Sequence, residues 1–539
     1  MAKNLMIQGT MSNAGKSIIT AGILRVLKQD GYRVAPFKSQ NMALNSYITI
    51  DGYEMGRAQV MQAEAAGIEP DVRMNPILLK PTSDVGSQVI VNGVALKNMP
   101  AKEYFQYKKK LIPDILKAYD ELDKAYDVIV IEGAGSPAEI NLKENDIVNM
   151  GMAQLVDAPV LLVGDIDRGG VFAQLVGTIM LLEEEEKKRV KGLIMNKFRG
   201  DRKILEPGIR QLYDICHIPV TGVIPYTRLD IDDEDSLSER IDTLPADYDL
   251  HDGQVDIVVI RLPHISNFTD FNALERMKNV HLRYVDRADQ IGNPDLVIIP
   301  GSKNTVSDLK WMRDNNIENA ITMCKDRDAL ILGICGGYQM LGMVIDDRCD
   351  SGSYEVMPGM FYLPVETTFV KNKHRTRVRG VVCEQSGVWK ELSGCSCEGY
   401  EIHMGESVIM VSKDEEDHIY SQLSQSLPDE PRNKHIEDIR PFARITVISE
   451  NGDHQEYMDG CVKENVAGTY LHGIFDNKEF CDRFVQMLCD RKGIAMQKDN
   501  LAAMSYQEYK QREYDKLADV IRENMDMDYI YKIIGLDQR

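Results

Sequence analysis

Short, continuous apolar runs alternate with amphipathic stretches along most of this chain. The runs Asn4–Gln8, Arg33–Phe37, Tyr126–Glu132, Ala158–Gly164 and Gly192–Lys197 lack a strict two-residue alternation. They therefore predict strands buried on both faces, as in parallel sheets. Residues 16–28 repeat their apolar positions at helical spacing, and similar segments separate the later strands. A second series begins at Asp256–Leu262 and continues through Asp295–Ser302, Leu330–Ile334 and the stretch before His472. The expected fold class is α/β, with two doubly wound domains in tandem. Leu229–Glu239 is acidic and poor in apolar residues, and 242–253 continue in that character. These features predict a domain over 1–240, a linker over 241–254, a second domain over 255–490 and a helical extension over 491–539. In the extension Leu517 and Ile521 stand one helical turn apart. Glu183–Arg189 reads as a solvated helix face with Glu183–Lys187 and Glu184–Lys188 pairs.

Composition narrows the class. At 539 residues, with 43% hydrophobic and 27% charged residues, the chain has the make-up of a soluble globular protein of more than one domain. A net charge of −21 argues against general binding to nucleic acid or to an anionic membrane surface. Ten cysteines without a regular framework suit a reducing compartment, and Cys395 and Cys397 lack zinc-type spacing. No apolar run approaches a membrane span, and the N-terminus enters a strand without a signal-peptide plan. A cytoplasmic protein is expected, with its oligomeric state left open.

The strongest chemical signal is Leu330-Ile-Leu-Gly-Ile-Cys-Gly-Gly-Tyr-Gln-Met-Leu341. A buried strand ends at Cys335, small residues follow, and a helical pattern starts. Gly333, Cys335 and Gly337 give the cysteine version of the elbow that lifts a nucleophile out of a sheet. At a helix start, the free N–H groups and dipole favour thiolate. The alternative is a buried structural cysteine. Pro300-Gly-Ser302 ends the preceding strand in a turn whose Ser302 region, with the amide of Gly336, makes a candidate oxyanion hole. His472, in Val466-Ala-Gly-Thr-Tyr-Leu-His-Gly-Ile-Phe475, is the candidate base for the thiol.

The first half carries phosphate chemistry. Gly9-Thr-Met-Ser-Asn-Ala-Gly-Lys-Ser17 lies between a strand and a helix and ends as a P-loop does. Its amides can cradle phosphates, Lys16 can reach the β/γ-phosphates, and Ser17 can hold Mg²⁺. The spacing departs from the usual one: Gly9 stands one place early, Thr10 occupies the first-glycine position, and Gly15 is retained. Glu132 ends an apolar strand and is the candidate acid for Mg²⁺ or its water shell. Lys38 and the amide-rich Gln40, Asn41 and Asn45 follow another strand end, where open α/β sheets place ligands. Gln59, Gln62, Lys80 and Arg168 join them as polar candidates. Asn196, in Asn-Lys at a strand end, is a candidate for nucleotide contact.

Together these motifs resemble known families. The second half is similar to class I glutamine amidotransferase domains, on Pro300-Gly-Ser302, the Cys335 elbow and Tyr470-Leu-His-Gly473. The first half is similar to the dethiobiotin synthetase type of P-loop NTPase. Their order, with Gln40-Asn-Met-Ala-Leu-Asn-Ser46 and Gly399-Tyr-Glu-Ile-His-Met-Gly405, resembles the cobyric acid synthase family of cobalamin biosynthesis. That resemblance implies a glutamine-hydrolysing carbon–nitrogen ligase. Glutamine is hydrolysed through a Cys335 thioester, and ATP with Mg²⁺ activates carboxylates of a corrinoid, adenosylcobyrinic acid a,c-diamide. Ammonia then amidates the b, d, e and g side chains. By the same analogy Gly9, Thr10, Gly15, Lys16, Ser17, Lys38, Glu132 and Asn196 serve the nucleotide site, with Ser17 and Glu132 at the metal. Many class I domains place a glutamate two positions after the histidine. Ile474 stands there, so the orienting acid is absent or comes from elsewhere; Glu401 and His403 stay outside the catalytic set. The rival readings are a cobyrinic acid a,c-diamide synthase, or a ParA/MinD-like ATPase carrying a non-catalytic amidotransferase fold.

Overall fold

The structure is a computed structural model, and it describes residues 2–83, 86–227, 229–231, 251–348, 356–410, 439–448, 455–496 and 505–536. Most of the expected linker, 241–250, lies outside the described residues. Two compact units emerge. The first comprises Met1–Ala43, Tyr53–Glu234 and Glu508–Arg539, and the second comprises Leu44–Gly52 and Asp235–Gln507. The units are thus not contiguous in sequence. Much of the segment set apart as a C-terminal extension packs in the first unit, and nine residues of the N-terminal half are built into the second.

The main sheet of the first unit is built from β1 (Lys3–Gly9), β2 (Val34–Phe37), β3 (Val128–Glu132), β4 (Val160–Asp165), β5 (Val190–Phe198) and β6 (Val220–Pro225). They form one sheet in the order β6-β5-β4-β1-β3-β2, parallel throughout. The central strands bury nearly every side chain, which is why their sequences read as apolar runs. Helix α1 (Lys16–Gln29) starts directly after Gly15 and is buried along most of its length. Part of that cover comes from the C-terminal helix Tyr506–Asn524. A Cβ on Gly22 would fall 2.5 Å from Ile521 Cγ1, so a glycine permits the close packing. Helix α2 (Arg57–Ala66) carries Gln59 and Gln62, both buried. The Glu184–Lys187 helix is one turn long and its ion pairs form at i,i+3, Glu184–Lys187 and Glu185–Lys188. The i,i+4 pairing does not form because Glu183 is the N-cap, closing a capping box with Glu186.

The second unit has β7 (Val255–Ile260), β8 (Val280–Val285), β9 (Leu296–Ile299) and β10 (Leu330–Ile334), then α3 (Gly336–Leu341). Next come two long antiparallel strands, β11 (Val365–Val382) and β12 (Ser396–Ile409), and then β13 (Cys461–Lys463) and β14 (Val466–Thr469). The main sheet runs β8-β7-β9-β10-β14-β13, parallel except for the final pair. The carboxyl ends of β9, β10 and β14 lie side by side, and they carry Pro300-Gly-Ser302, Cys335 and the His472 loop. That placement follows from topology alone: neighbouring parallel strands deliver their following loops to one edge.

Candidate active sites

Cys335 sits at the turn between β10 and α3 with φ 52° and ψ −106°. A non-glycine residue with this backbone is strained, and such strain is found where a side chain must be presented in a fixed direction. Its neighbours must be small. A Cβ on Gly333 would lie 2.7 Å from the backbone of Gly337 and Tyr338, and one on Gly337 only 1.9 Å from the Ile299 carbonyl oxygen. The Cys335 amide donates to Thr469 O at 2.8 Å, tying the elbow to β14. The thiol lies 3.7 Å from Ile402 O on β12.

The loop after β14 brings His472 to the same place. Its side chain is buried, close enough to the Cys335 sulfur for the two groups to interact electrostatically. Nδ1 lies 2.7 Å from Asp270 Oδ2, and the other oxygen of Asp270 accepts from the Gly473 amide at 2.9 Å. With Nδ1 facing the carboxylate, Nε2 is left for the sulfur. Burial opposes the charged imidazole, but Asp270 and Cys335 outweigh it and hold His472 up to about 10. The arrangement has the geometry of a nucleophile, a base and an orienting acid. Asp270 is the acid that the missing glutamate left unassigned, while Ile474 is buried and apolar. Asp270 escaped sequence reading because it lies 202 residues from its partner, in Phe268–Phe271, a 3₁₀ turn with no motif of its own.

Ser302 and Gly336 are adjacent, as expected: a Cβ on Gly336 would come within 2.8 Å of Ser302 N. The Ser302 hydroxyl itself donates to Asp308 at 2.6 Å, so the backbone, not the side chain, is left for an oxyanion. Glu401 is not part of this set. Its Oε2 accepts from Tyr457 and Thr376 and lies 3.1 Å from His374 Nε2, in a polar cluster on β11 and β12 that also holds His403. His403 bonds Gly405 O through Nδ1 at 2.7 Å, and burial lowers it to about 4, so it is neutral at ordinary pH.

In the first unit the glycine loop runs from β1 to α1. Gly15 has φ 96°, a left-handed conformation that L side chains avoid. Thr10 braces the loop, its amide donating to Val163 O and its hydroxyl to Gln174 Oε1 at 3.1 Å. Asn196 also braces it, donating from Nδ2 to Ala14 O at 2.9 Å. Asn196, expected at the nucleotide, thus has its amide against the phosphate loop. Lys16 Nζ donates to Met11 O at 3.0 Å and to Gly135 O at 3.3 Å, curling over the loop.

Glu132 is the hub of this site. Its carboxylate accepts from Ser17 Oγ at 3.0 Å, from Lys38 Nζ at 2.7 Å and from Gln62 Nε2. The Lys38–Glu132 pair is buried on both sides. Oxygen donors from a P-loop serine and a strand-end carboxylate, this close together, suit a hard octahedral cation such as Mg²⁺. Asn41 donates to Gln59 Oε1 at 3.1 Å, Gln40 accepts from Tyr104 at 2.6 Å, and Lys80 pairs with Glu54 at 2.9 Å. Arg168 stands 3.9 Å from Asp165, which pairs more closely with Lys197 at 3.0 Å. Asn45 falls in the second unit, fully buried, with neither atom of its amide hydrogen-bonded.

A phosphate-binding loop with a metal-suited carboxylate in one unit, and a Cys-His-Asp glutaminase constellation in the other, define a glutamine-dependent, nucleotide-driven amidotransferase. Comparison with known proteins agrees half by half. Residues 5–237 match the CobQ/CobB/MinD/ParA nucleotide binding domain, and residues 256–480 match the CobB/CobQ-like glutamine amidotransferase domain. Over 539 residues the chain is 53% identical to a cobyric acid synthase of Lachnoclostridium phytofermentans, covering 99% of each chain. It is 53% identical to that of Ruminiclostridium cellulolyticum, over 99% of this chain and 97% of the relative. With that of Streptococcus sanguinis the figure is 49%, over all of both chains. The chain belongs to the cobyric acid synthase family.

Proposed function

We propose that this protein amidates the b, d, e and g carboxylates of adenosylcobyrinic acid a,c-diamide, using glutamine as nitrogen source and ATP as the driving nucleotide. Full-length likeness to cobyric acid synthases carries the reading, and the two site geometries support it. Ammonia does not displace a carboxylate oxygen without activation, so a phosphoryl donor and an ammonia source belong in one protein.

In the second unit the Cys335 thiolate attacks the glutamine carboxamide carbon, and the amides of Ser302 and Gly336 face the developing oxyanion. His472, held protonated by Asp270, gives its proton to the leaving nitrogen, and ammonia departs as the thioester forms. Neutral His472 then takes a proton from water, whose oxygen displaces the sulfur and releases glutamate. In the first unit a substrate carboxylate oxygen takes the γ-phosphoryl group, ADP leaves, and ammonia displaces phosphate from the acyl phosphate. Lys16 and the amides of the glycine loop hold the phosphates. Lys38 neutralises charge beside Glu132, and Thr10 and Asn196 keep the loop in shape. Mg²⁺, held by Ser17 and Glu132, supplies charge neutralisation to the nucleotide when bound.

Mass spectrometry of adenosylcobyrinic acid a,c-diamide incubated with enzyme, Mg-ATP and glutamine tests the assignment. Four successive replacements of a carboxyl OH by NH₂ are expected. A product that stops short of four, or amidation of a substrate with free a and c carboxylates at those positions, would contradict it.

A further inference from the structure

The excursion Leu44–Gly52 leaves the first unit after Ala43 and returns to it at Tyr53, yet belongs to the second unit. It lies against residues beside the His472 triad. Tyr400 on β12 stacks on the His472 ring, with centroids 5.4 Å apart and planes 22° from parallel. The same two residues exchange backbone hydrogen bonds, Tyr400 N to His472 O at 3.1 Å and His472 N to Tyr400 O at 2.9 Å. The Tyr400 hydroxyl donates to Ser46 O at 3.3 Å and accepts from Asn267 Nδ2 at 3.2 Å. Asn267 Oδ1 in turn accepts from Ser46 N at 3.3 Å. Asn267, with φ 54°, caps the turn that carries Asp270. Ile48 is fully buried against Tyr400 and Ile402, and Arg377 holds the Tyr47 ring and hydroxyl.

One short piece of chain therefore pins both sides of the imidazole: the aromatic ring stacked on it, and the turn bearing its carboxylate. A stack over a protonated imidazole favours the charged ring and fixes its plane. The backbone N–H and C=O of Ser46 close a ring of hydrogen bonds with Tyr400 and Asn267, which is a cooperative arrangement. We infer that Tyr400 is a positioning residue for His472, and that the excursion Leu44–Gly52 sets glutaminase competence by holding Tyr400 and Asn267 in place. This inference rests on the proposed role of Cys335 and His472.

A double-mutant cycle in the full-length protein tests it, with Tyr400→Phe, Asn267→Ala and the pair, each assayed with glutamine and with high ammonium. Tyr400→Phe keeps the ring and removes only the hydroxyl. Each single change is expected to lower the glutaminase kcat about tenfold with little change in KM for glutamine, and the pair to be no worse than either alone. Ammonium-supported synthesis stays at the wild-type level, which separates a positioning loss from misfolding. Tyr400→Leu, which removes the stack as well, is expected to lose more than Tyr400→Phe. Unchanged glutaminase in the singles, or losses that simply add in the pair, would overturn the inference. A wild-type enzyme without glutamine-supported synthesis would instead refute the proposed function, and the inference with it.

Discussion

Asp270 Oδ2 lies 2.7 Å from His472 Nδ1, and the same carboxylate accepts the Gly473 amide through its other oxygen. One acid thus orients the imidazole and the backbone that carries it. Asp270→Asn would keep the shape and lose the charge, allowing the amide to turn its NH₂ toward Nδ1. Glutaminase kcat is expected to fall by about 10²–10⁴-fold, while ammonium-supported synthesis is retained. Steady-state assays with each nitrogen source check this; an unchanged kcat would remove Asp270 from the triad.

The charge of His472 sets the alkaline side of the pH profile. Its pKa is raised to about 10, so the imidazolium persists through neutrality and is lost as pH rises through that value. Glutaminase activity should therefore hold to high pH and then fall, and Asp270→Asn should move the fall to lower pH. The same shift is a stability term. Its contribution is fully present below the unfolded histidine pKa of about 6.5 and disappears as pH climbs through the folded value. An alkaline limb that stays put in Asp270→Asn would contradict the assignment.

Lys16 and Glu132 act on the nucleotide side. Lys16→Ala should abolish synthesis with glutamine and with ammonium alike. Glu132→Gln leaves the Lys38 ammonium buried without its carboxylate and takes one oxygen charge from the metal site, and it should raise the Mg²⁺ concentration needed for half-maximal rate. Titration of ATP hydrolysis with Mg²⁺ measures the second effect. Full ammonium-supported synthesis in Lys16→Ala would take the glycine loop out of the reaction.

Gly337 is the tightest position of the elbow. An alanine Cβ would meet the Ile299 carbonyl oxygen at 1.9 Å, so β9 and β10 must part to admit it. Gly337→Ala should cost about 1–3 kcal/mol or more, lowering Tm of the second unit by several degrees, and should lose glutaminase activity with it. Calorimetry showing an unshifted transition would mean that the elbow accommodates side chains at this position.

Features carried by local pattern were legible in the sequence. The β10 run, the glycines around Cys335 and the Gly-Lys-Ser ending of the first loop each contain their own explanation within a dozen residues. The structure places β3, β4 and β5 within a few residues of the expected apolar runs. Relations between distant segments were not legible. Nothing in Phe268–Phe271 marks Asp270, because its role arises only when that turn meets the loop after β14. Asn196 gave a strand-end signal, but a side chain that can reach a ligand can also reach the loop beneath it. The Leu517 and Ile521 pattern announced a packed helix without naming its partner, and Gly22 on α1 turned out to be the surface it fits. The amide-rich reading stopped at Asn45, and nothing local announced that Leu44–Gly52 joins the second unit, since no local property tells which core a buried isoleucine joins.

The division between an ammonia-releasing unit and a carboxylate-activating unit is tested most directly with Cys335→Ala, comparing corrinoid amidation under glutamine and under high ammonium at equal Mg-ATP. The expected result is loss of amidation with glutamine and near wild-type amidation with ammonium. Amidation that survives with glutamine, or fails with both nitrogen sources in a folded variant, would contradict the account.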